Sequence, residues 1–161
     1  MSFQLLARVW HVQYGLSAIQ WTWPEWEWVG SDHTKCYVTG AAKNRETRGV
    51  LKGGAVWLGS PSADAEIVVG EGLESVLSAM ILLDLKCGAA VLGPNLKGLV
   101  LPSSATRVHI AADNDETGRG AANCVAKQWR NAGLRVRVSM PDEEGWDFND
   151  VLRDGLRERR K

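Results

Sequence analysis

Hydrophobic and polar positions change their rhythm near residue 60. Leu6-Ala7-Arg8-Val9-Trp10-His11-Val12 is rich in β-favouring side chains, and Tyr14-Gly15 supplies a turn. Leu16 to Trp23 then alternates, with Leu16, Ala18, Gln20 and Thr22 on one face and Ile19, Trp21 and Trp23 on the other. A period of two is that of a strand, so residues 5–24 predict a hairpin that Pro24 ends. Residues 25–54 are polar and interrupted by Gly30, Gly40, Gly49 and Gly53-Gly54, which predicts loops with short strands. Ala55-Val56-Trp57-Leu58 predicts one more short strand. Gly59-Ser60-Pro61-Ser62 is the strongest turn cluster and divides a β-rich extension, 1–62, from a second unit, 63–161.

The second unit alternates strand and helix. Glu66-Ile67-Val68-Val69 is a continuous apolar strand, as in a sheet covered on both faces. Leu73 to Lys86 is helical, with Leu73, Val76, Leu77, Met80 and Ile81 at helical spacing and Gly88 as its left-handed stop. Ala89 to Leu92 and Arg107 to Ala112 predict the second and third strands. Thr117 to Ala132 predicts a second helix, with Ala121, Ala122, Val125 and Trp129 on one face and Gly133 beyond its end. Leu134 to Met140 alternates apolar and polar residues, which suits an edge strand. Asp147 to Leu152 opens a short last helix, and Arg157 to Lys161 reads as a charged tail. Strands separated by helices imply an α/β fold: a parallel sheet of about four strands with right-handed crossovers.

Composition narrows the function classes little. The chain has 161 residues, 45% hydrophobic and 24% charged, enough for one domain with its own core and a small appendage. Lys plus Arg equals Asp plus Glu at 19 each, so net charge does not point to a polyanionic partner. The three cysteines, Cys36, Cys87 and Cys124, form neither a metal pair nor a disulfide framework. Cys87 and Cys124 lie in apolar segments and are expected as buried free thiols, in keeping with a reducing cytoplasm. The longest apolar run, Val76 to Leu83, is too short to span a bilayer, and the N-terminus has no secretory pattern. A cytoplasmic chain without membrane contact is expected.

The chemistry concentrates at strand ends, where open parallel sheets bind ligands. Glu71 follows the strand Ile67-Val68-Val69-Gly70; Asp113 and Asp115 follow Val108-His109-Ile110-Ala111-Ala112. Clustered carboxylates repel and are costly to desolvate unless a cation neutralises them. Hard oxygen ligands without His or Cys favour magnesium, with manganese as the alternative, over zinc. The helix from Thr117 aims its first amides at the same place, which favours a phosphate. Taken singly, Asp113 and Asp115 equally suit a loop and helix N-cap, and Glu71 suits a solvated acid at a helix start.

Three segments together resemble the Toprim family. Val68-Val69-Gly70-Glu71-Gly72-Leu73-Glu74-Ser75 is similar to its first motif, a strand ending in Glu-Gly. Ile110 to Gly118, with Asp113-Asn114-Asp115, is similar to the second, Asp-x-Asp followed by Gly. Asp142-Glu143-Glu144-Gly145-Trp146-Asp147-Phe148-Asn149-Asp150 looks like the segment that ends Toprim domains in phage- and plasmid-type primases. The resemblance covers about residues 65–152, and Gly49 to Gly59 looks like the lead-in of mobile-element primase-type proteins. It implies Glu71 as general acid or base, also touching metal, and Asp113 and Asp115 as magnesium ligands. Asp147 is implied as an additional ligand, although an N-cap for the last helix explains it as well. The implied activity is nucleotidyl transfer in DNA replication, with nucleic acid and other primase or helicase modules as partners. A Toprim-type nuclease and a binding module without turnover are the alternatives. A complete primase of this type would also carry a zinc-binding module, so the chain is expected to be a fragment, a partner-dependent subunit or a stand-alone relative.

Two cations are candidates for phosphate contact. Arg119 falls in the first turn of the helix after Asp115, where the helix dipole disfavours a cation unless a phosphate or similar partner offsets it. Lys97, in Gly93-Pro94-Asn95-Leu96-Lys97-Gly98, follows the second strand; Lys52 is a weaker candidate. His109, inside a strand, is expected to be structural. Eight tryptophans is a high count, and Trp10, Trp21, Trp23, Trp26 and Trp28 fall within the first 28 residues. Strand aromatics more often pack a core or cover a sheet than stack on bases, and a lone hairpin must pack on something.

Overall fold

A computed structural model describes residues 4–23, 25–28, 34–37, 45–60 and 65–158, with backbone alone at 25–28, 34–37 and 157. Pro24, Gly30, His33, Gly40, Pro61-Ser62 and residues 159–161 of the charged tail lie outside the described residues, as do the side chains of Trp26, Trp28 and Cys36. The hairpin is β1 (Leu5–His11) and β2 (Gly15–Thr22), followed by β3 (Glu25–Trp28), β4 (Thr34–Tyr37), β5 (Arg45–Gly49) and β6 (Val56–Leu58). Then come β7 (Glu66–Glu71), α1 (Leu73–Leu82), β8 (Cys87–Val91), a 3-10 turn (Leu96–Gly98), β9 (Arg107–Ala111), α2 (Glu116–Asn131), β10 (Arg135–Ser139) and α3 (Phe148–Glu158).

The main sheet has the order β10-β9-β7-β8-β6. Its first four strands run parallel, as expected from the strand–helix alternation, and β6 adds a fifth, antiparallel to β8. The expected edge strand, β10, is at the edge. Val69 sits between Ala89 and Ile110, and Gly70 pairs with both Ala90 and Ala111. Glu71 at the end of β7 and the aspartates just past β9 therefore leave the sheet at the same end.

The alternation within each central strand builds two cores. Ile67, Val69, Val108 and Ile110 face Ala122, Val125, Ala126 and Trp129 of α2. Val68, Ala90 and Ala111 face Val76 and Ala79 of α1, Phe148 of α3, and Ala7, Val9 and Ala18 of the hairpin. Each fully buried Val or Ile contributes roughly 1.5–3 kcal/mol. The hairpin thus gains its stability by laying its inner face on the α1 side of the main sheet. Trp10 and Ala55 fasten it further, by N–H to O bonds of 2.8 and 3.2 Å in the two directions.

Several expectations change. α1 stops at Leu82 rather than Lys86, because Asp84 takes the left-handed turn at φ 50°. Asp84 N–H then bonds Ile81 O and Leu85 N–H bonds Met80 O, closing the helix end. Gly88 is no helix stop but a β8 residue under Met80; a Cβ there would sit 2.5 Å from the thioether sulfur. Cys124 lies on the solvent face of α2 and is exposed, whereas Cys87 is buried. α3 runs on to Glu158, through part of the expected tail. His109 has the structural setting expected of it: Nε2 lies 2.8 Å from Ser139 Oγ. Arg137 hydrogen-bonds Glu66 beside it and, as the largest influence, holds that carboxyl below its usual range. Among the described residues no helix is long and apolar enough to cross a membrane.

Candidate acidic active site

Glu71 is the last residue of β7, and the chain turns at once into α1. Gly72 makes that turn at φ 80°, a conformation that favours glycine, and its N–H bonds Val91 O at the end of β8 (2.9 Å). The backbone N–H of Leu96, heading the 3-10 turn, donates to the Glu71 carboxylate. Burial raises the Glu71 pKa; the Leu96 N–H opposes this, and the charge of Asp115 adds to the rise.

Past β9 the two aspartates diverge in role. Asp115 caps α2, its Oδ1 accepting the Gly118 N–H at 2.6 Å. The helix start crowds the loop: a Cβ on Gly118 would lie 2.5 Å from Asp113 O, so only glycine fits. Asp113 is turned inward. Its Oδ1 is enclosed and has no hydrogen-bond partner among the described residues. Burial first, then the charges of Asp147, Asp115, Glu71 and Asp150, push its pKa up to about 6. An unpartnered buried carboxylate among other acids is costly, and a cation is the economical remedy.

The third wall is the segment before α3. Asp147 and Asp150 cap that helix reciprocally: Asp150 N–H bonds Asp147 Oδ1 at 2.8 Å, and Asp147 N–H bonds Asp150 Oδ2 at 3.3 Å. Burial raises the Asp147 pKa, opposed by the Asp150 N–H. Asn114 clips this segment to the aspartate loop. Its N–H bonds Trp146 O at 2.9 Å and its carbonyl accepts Gly145 N–H at 2.8 Å. Its side-chain amide donates to Asp142 O at 3.3 Å, and its Oδ1 accepts from the Arg119 guanidinium at 2.7 Å.

Glu71, Asp113, Asp115 and Asp147 are therefore brought to one end of the sheet, joined by Asp150. Lys97 is exposed and directly follows Leu96. Arg119, half-buried, is braced on Asn114. No three of the described carboxylates converge on a single metal point, since Asp115 and Asp147 each turn an oxygen to a helix N–H. The donor set nevertheless fits magnesium or manganese: all hard oxygens, with the orphaned Asp113 Oδ1 at the centre of their field. Sequence reading missed three contributors. Asn114 was passed over as the middle of Asp-x-Asp, and the Leu96 N–H carries no side-chain signal. The Asp-x-x-Asp spacing of a capping box could have disclosed Asp150 as the partner of Asp147. Asn114→Ala is expected to cost about 1–3 kcal/mol, because it strands the partners of a buried amide. Urea unfolding measures this; an unchanged midpoint would remove Asn114 as the clip.

Comparisons with known proteins bear on the fold and the family. A sequence model of the Toprim domain matches residues 66–158. No curated protein matches the chain. Among solved structures, the crystal structure of the primase fragment of the bacteriophage T7 primase-helicase protein is similar, with a TM-score of 0.58 and 19% sequence identity. The similarity covers 98% of this chain and 60% of that fragment, so the chain spans less than two-thirds of its length. At that identity the likeness is one of fold. The matched Toprim segment runs from β7 through α3, holds all four acids and makes up more than half of the sequence. The chain belongs to the Toprim domain family.

Proposed function

We propose that this chain is the Toprim part of a primase-type protein of a mobile element, working in the cytoplasm, and that its acidic site performs magnesium-dependent nucleotidyl transfer on nucleic acid. The observation that carries the reading is Asp113, an enclosed carboxylate oxygen without a partner, ringed by four further acids. The fold similarity to a phage primase fragment supports the choice of primase chemistry and of a helicase module as partner.

Asp113 is the anchoring ligand in this reading. Asp115, Asp147 and Glu71 would complete the donor set. Magnesium held by these residues would supply charge neutralisation for phosphoryl transfer. Glu71 takes the proton from the attacking hydroxyl: burial lifts its pKa toward the working range of a base, and the Leu96 N–H keeps its carboxylate oriented. The first amides of α2, the Lys97 ammonium and the Arg119 guanidinium face the phosphates. Arg119 is preset for this by its bond to Asn114.

Incubation of the chain with ribonucleotides, magnesium and a single-stranded DNA template tests the proposal. Short RNA products that vanish with a chelator are expected. Cleavage of the template without synthesis would assign a nuclease, and neither product even with zinc-binding and helicase modules supplied would leave a binding module; both outcomes overturn the primase reading.

A further inference from the structure

The hairpin carries a second face that the acidic site does not use. Its inner face is packed, with Ala7, Val9, His11, Ala18 and Thr22 buried. Its outer face is apolar yet open: Leu6 is 53%, Trp10 48% and Leu16 49% exposed. The cross-strand register places Trp21 opposite Leu6 and Ile19 opposite Arg8. Exposed apolar surface of this extent on a folded domain marks an interaction site more often than chance placement.

Trp10 is held in position rather than left loose. The β1–β2 register shifts between Val9 and Trp10, a β-bulge, and bulges re-aim the side chains beside them. The Trp10 backbone pairs with Leu16 on one side and with Ala55 on the other. Trp57 of β6 donates its indole N–H to Trp10 O at 2.9 Å, which ties the Trp57 indole to the Trp10 backbone. Between them lies a groove of about 630 Å³, lined by Arg8, Trp10, Val12, Trp57 and Pro102. Among the described residues that line it Arg8 is the charged one and none is an acid; Arg8 is exposed and has no ion pair among the described residues.

We propose that this groove binds single-stranded nucleic acid, with a base stacked on Trp10 and the adjoining phosphate paired to the Arg8 guanidinium. Stacking on aromatic side chains beside a cationic track is how proteins hold single strands without reading sequence. The charge fits an anionic strand, because the described lining presents a guanidinium and no acid. The volume lies within the usual range of ligand pockets. Because β6 belongs to the same sheet as β7, the groove is rigidly placed relative to the acidic site. The inference rests on the nucleic-acid reading above and adds to it a strand-holding site away from the carboxylates.

Fluorescence anisotropy of a labelled oligo(dT) strand separates the two. Trp10→Ala is expected to weaken binding about tenfold or more, with Trp10→Phe weakening it less. Arg8→Ala is expected to weaken binding and lower the salt slope by about one. Magnesium binding, followed by calorimetry, stays as in the wild type in all three. If wild type binds the strand and Arg8→Ala and both Trp10 variants bind it equally well, the groove is not the contact and the proposal falls alone. If wild type binds magnesium but no strand, the nucleic-acid reading falls and takes the groove with it. Should Trp10→Ala lose its fold by circular dichroism, Arg8→Ala and Trp10→Phe decide, since neither removes a packed group.

Discussion

Glu71→Gln is expected to lower magnesium-dependent turnover by about 100- to 10,000-fold, the usual loss when a general base is removed. The substitution keeps the shape of the side chain and an oxygen for the Leu96 N–H, so it removes proton transfer and one negative charge from the metal donor set. It also removes a charge that burial and Asp115 disfavour, so the variant is expected to fold at least as stably. The pH profile gives a second reading. Turnover of the wild type rises with pH through the raised pKa of Glu71, and the variant lacks that limb. Wild-type rates in the variant would mean that Glu71 is not the acid–base residue.

Asp113→Asn has the other large effect, a gain in the stability of the metal-free protein. The native state holds the Asp113 proton up to about pH 6, whereas an ordinary carboxyl has a pKa of 3.8. Folding therefore takes up protons between those values, and the metal-free protein loses stability from Asp113 as pH rises through that window. Each unit of difference corresponds to about 1.4 kcal/mol, so the loss above pH 6 approaches roughly 3 kcal/mol before solvent screening. The variant escapes it. Asp113→Asn is expected to be about 1–3 kcal/mol more stable than metal-free wild type at pH 7, with the difference gone below about pH 4. Magnesium should reverse the order, stabilising wild type by about 4.1 kcal/mol at a thousandfold excess over Kd and leaving the variant unchanged. Chemical denaturation at several pH values, with and without magnesium, checks both halves. A variant that is less stable than wild type at pH 7 without metal would contradict the crowded-carboxylate account.

The site was legible because strand ends and acids coincide in the sequence. Ile67-Val68-Val69 and Val108-His109-Ile110 announced central strands, and the acids that follow them had to share one end of a parallel sheet. What stayed hidden is local backbone chemistry. Asp113 and Asp115 look equivalent as Asp-x-Asp, yet one caps α2 and the other is left without a partner. Gly118 gives its N–H to Asp115, and its lack of a Cβ lets the helix start lie against the Asp113 carbonyl. Asn114 was invisible as a clip because its four bonds reach forward to residues 119 and 142–146, which only the folded chain brings near. The end of α1 was misjudged because Asp84 took the left-handed position expected of glycine, while Gly88 served packing under Met80. Cys124 was misplaced because an apolar-looking window on α2 has a solvent face as well as a core face. The hairpin tryptophans were ambiguous for the same reason. Alternation predicts two faces but not which one meets the sheet, and the small residues Ala7, Val9 and Ala18 went inward, leaving Trp10 out.

The central claim is that these carboxylates form a magnesium site anchored on Asp113. Isothermal titration of magnesium into wild type and Asp113→Asn at neutral pH tests it most directly. Saturable binding to wild type that is lost in the variant is the predicted result; equal heats and affinities in the two proteins would contradict it.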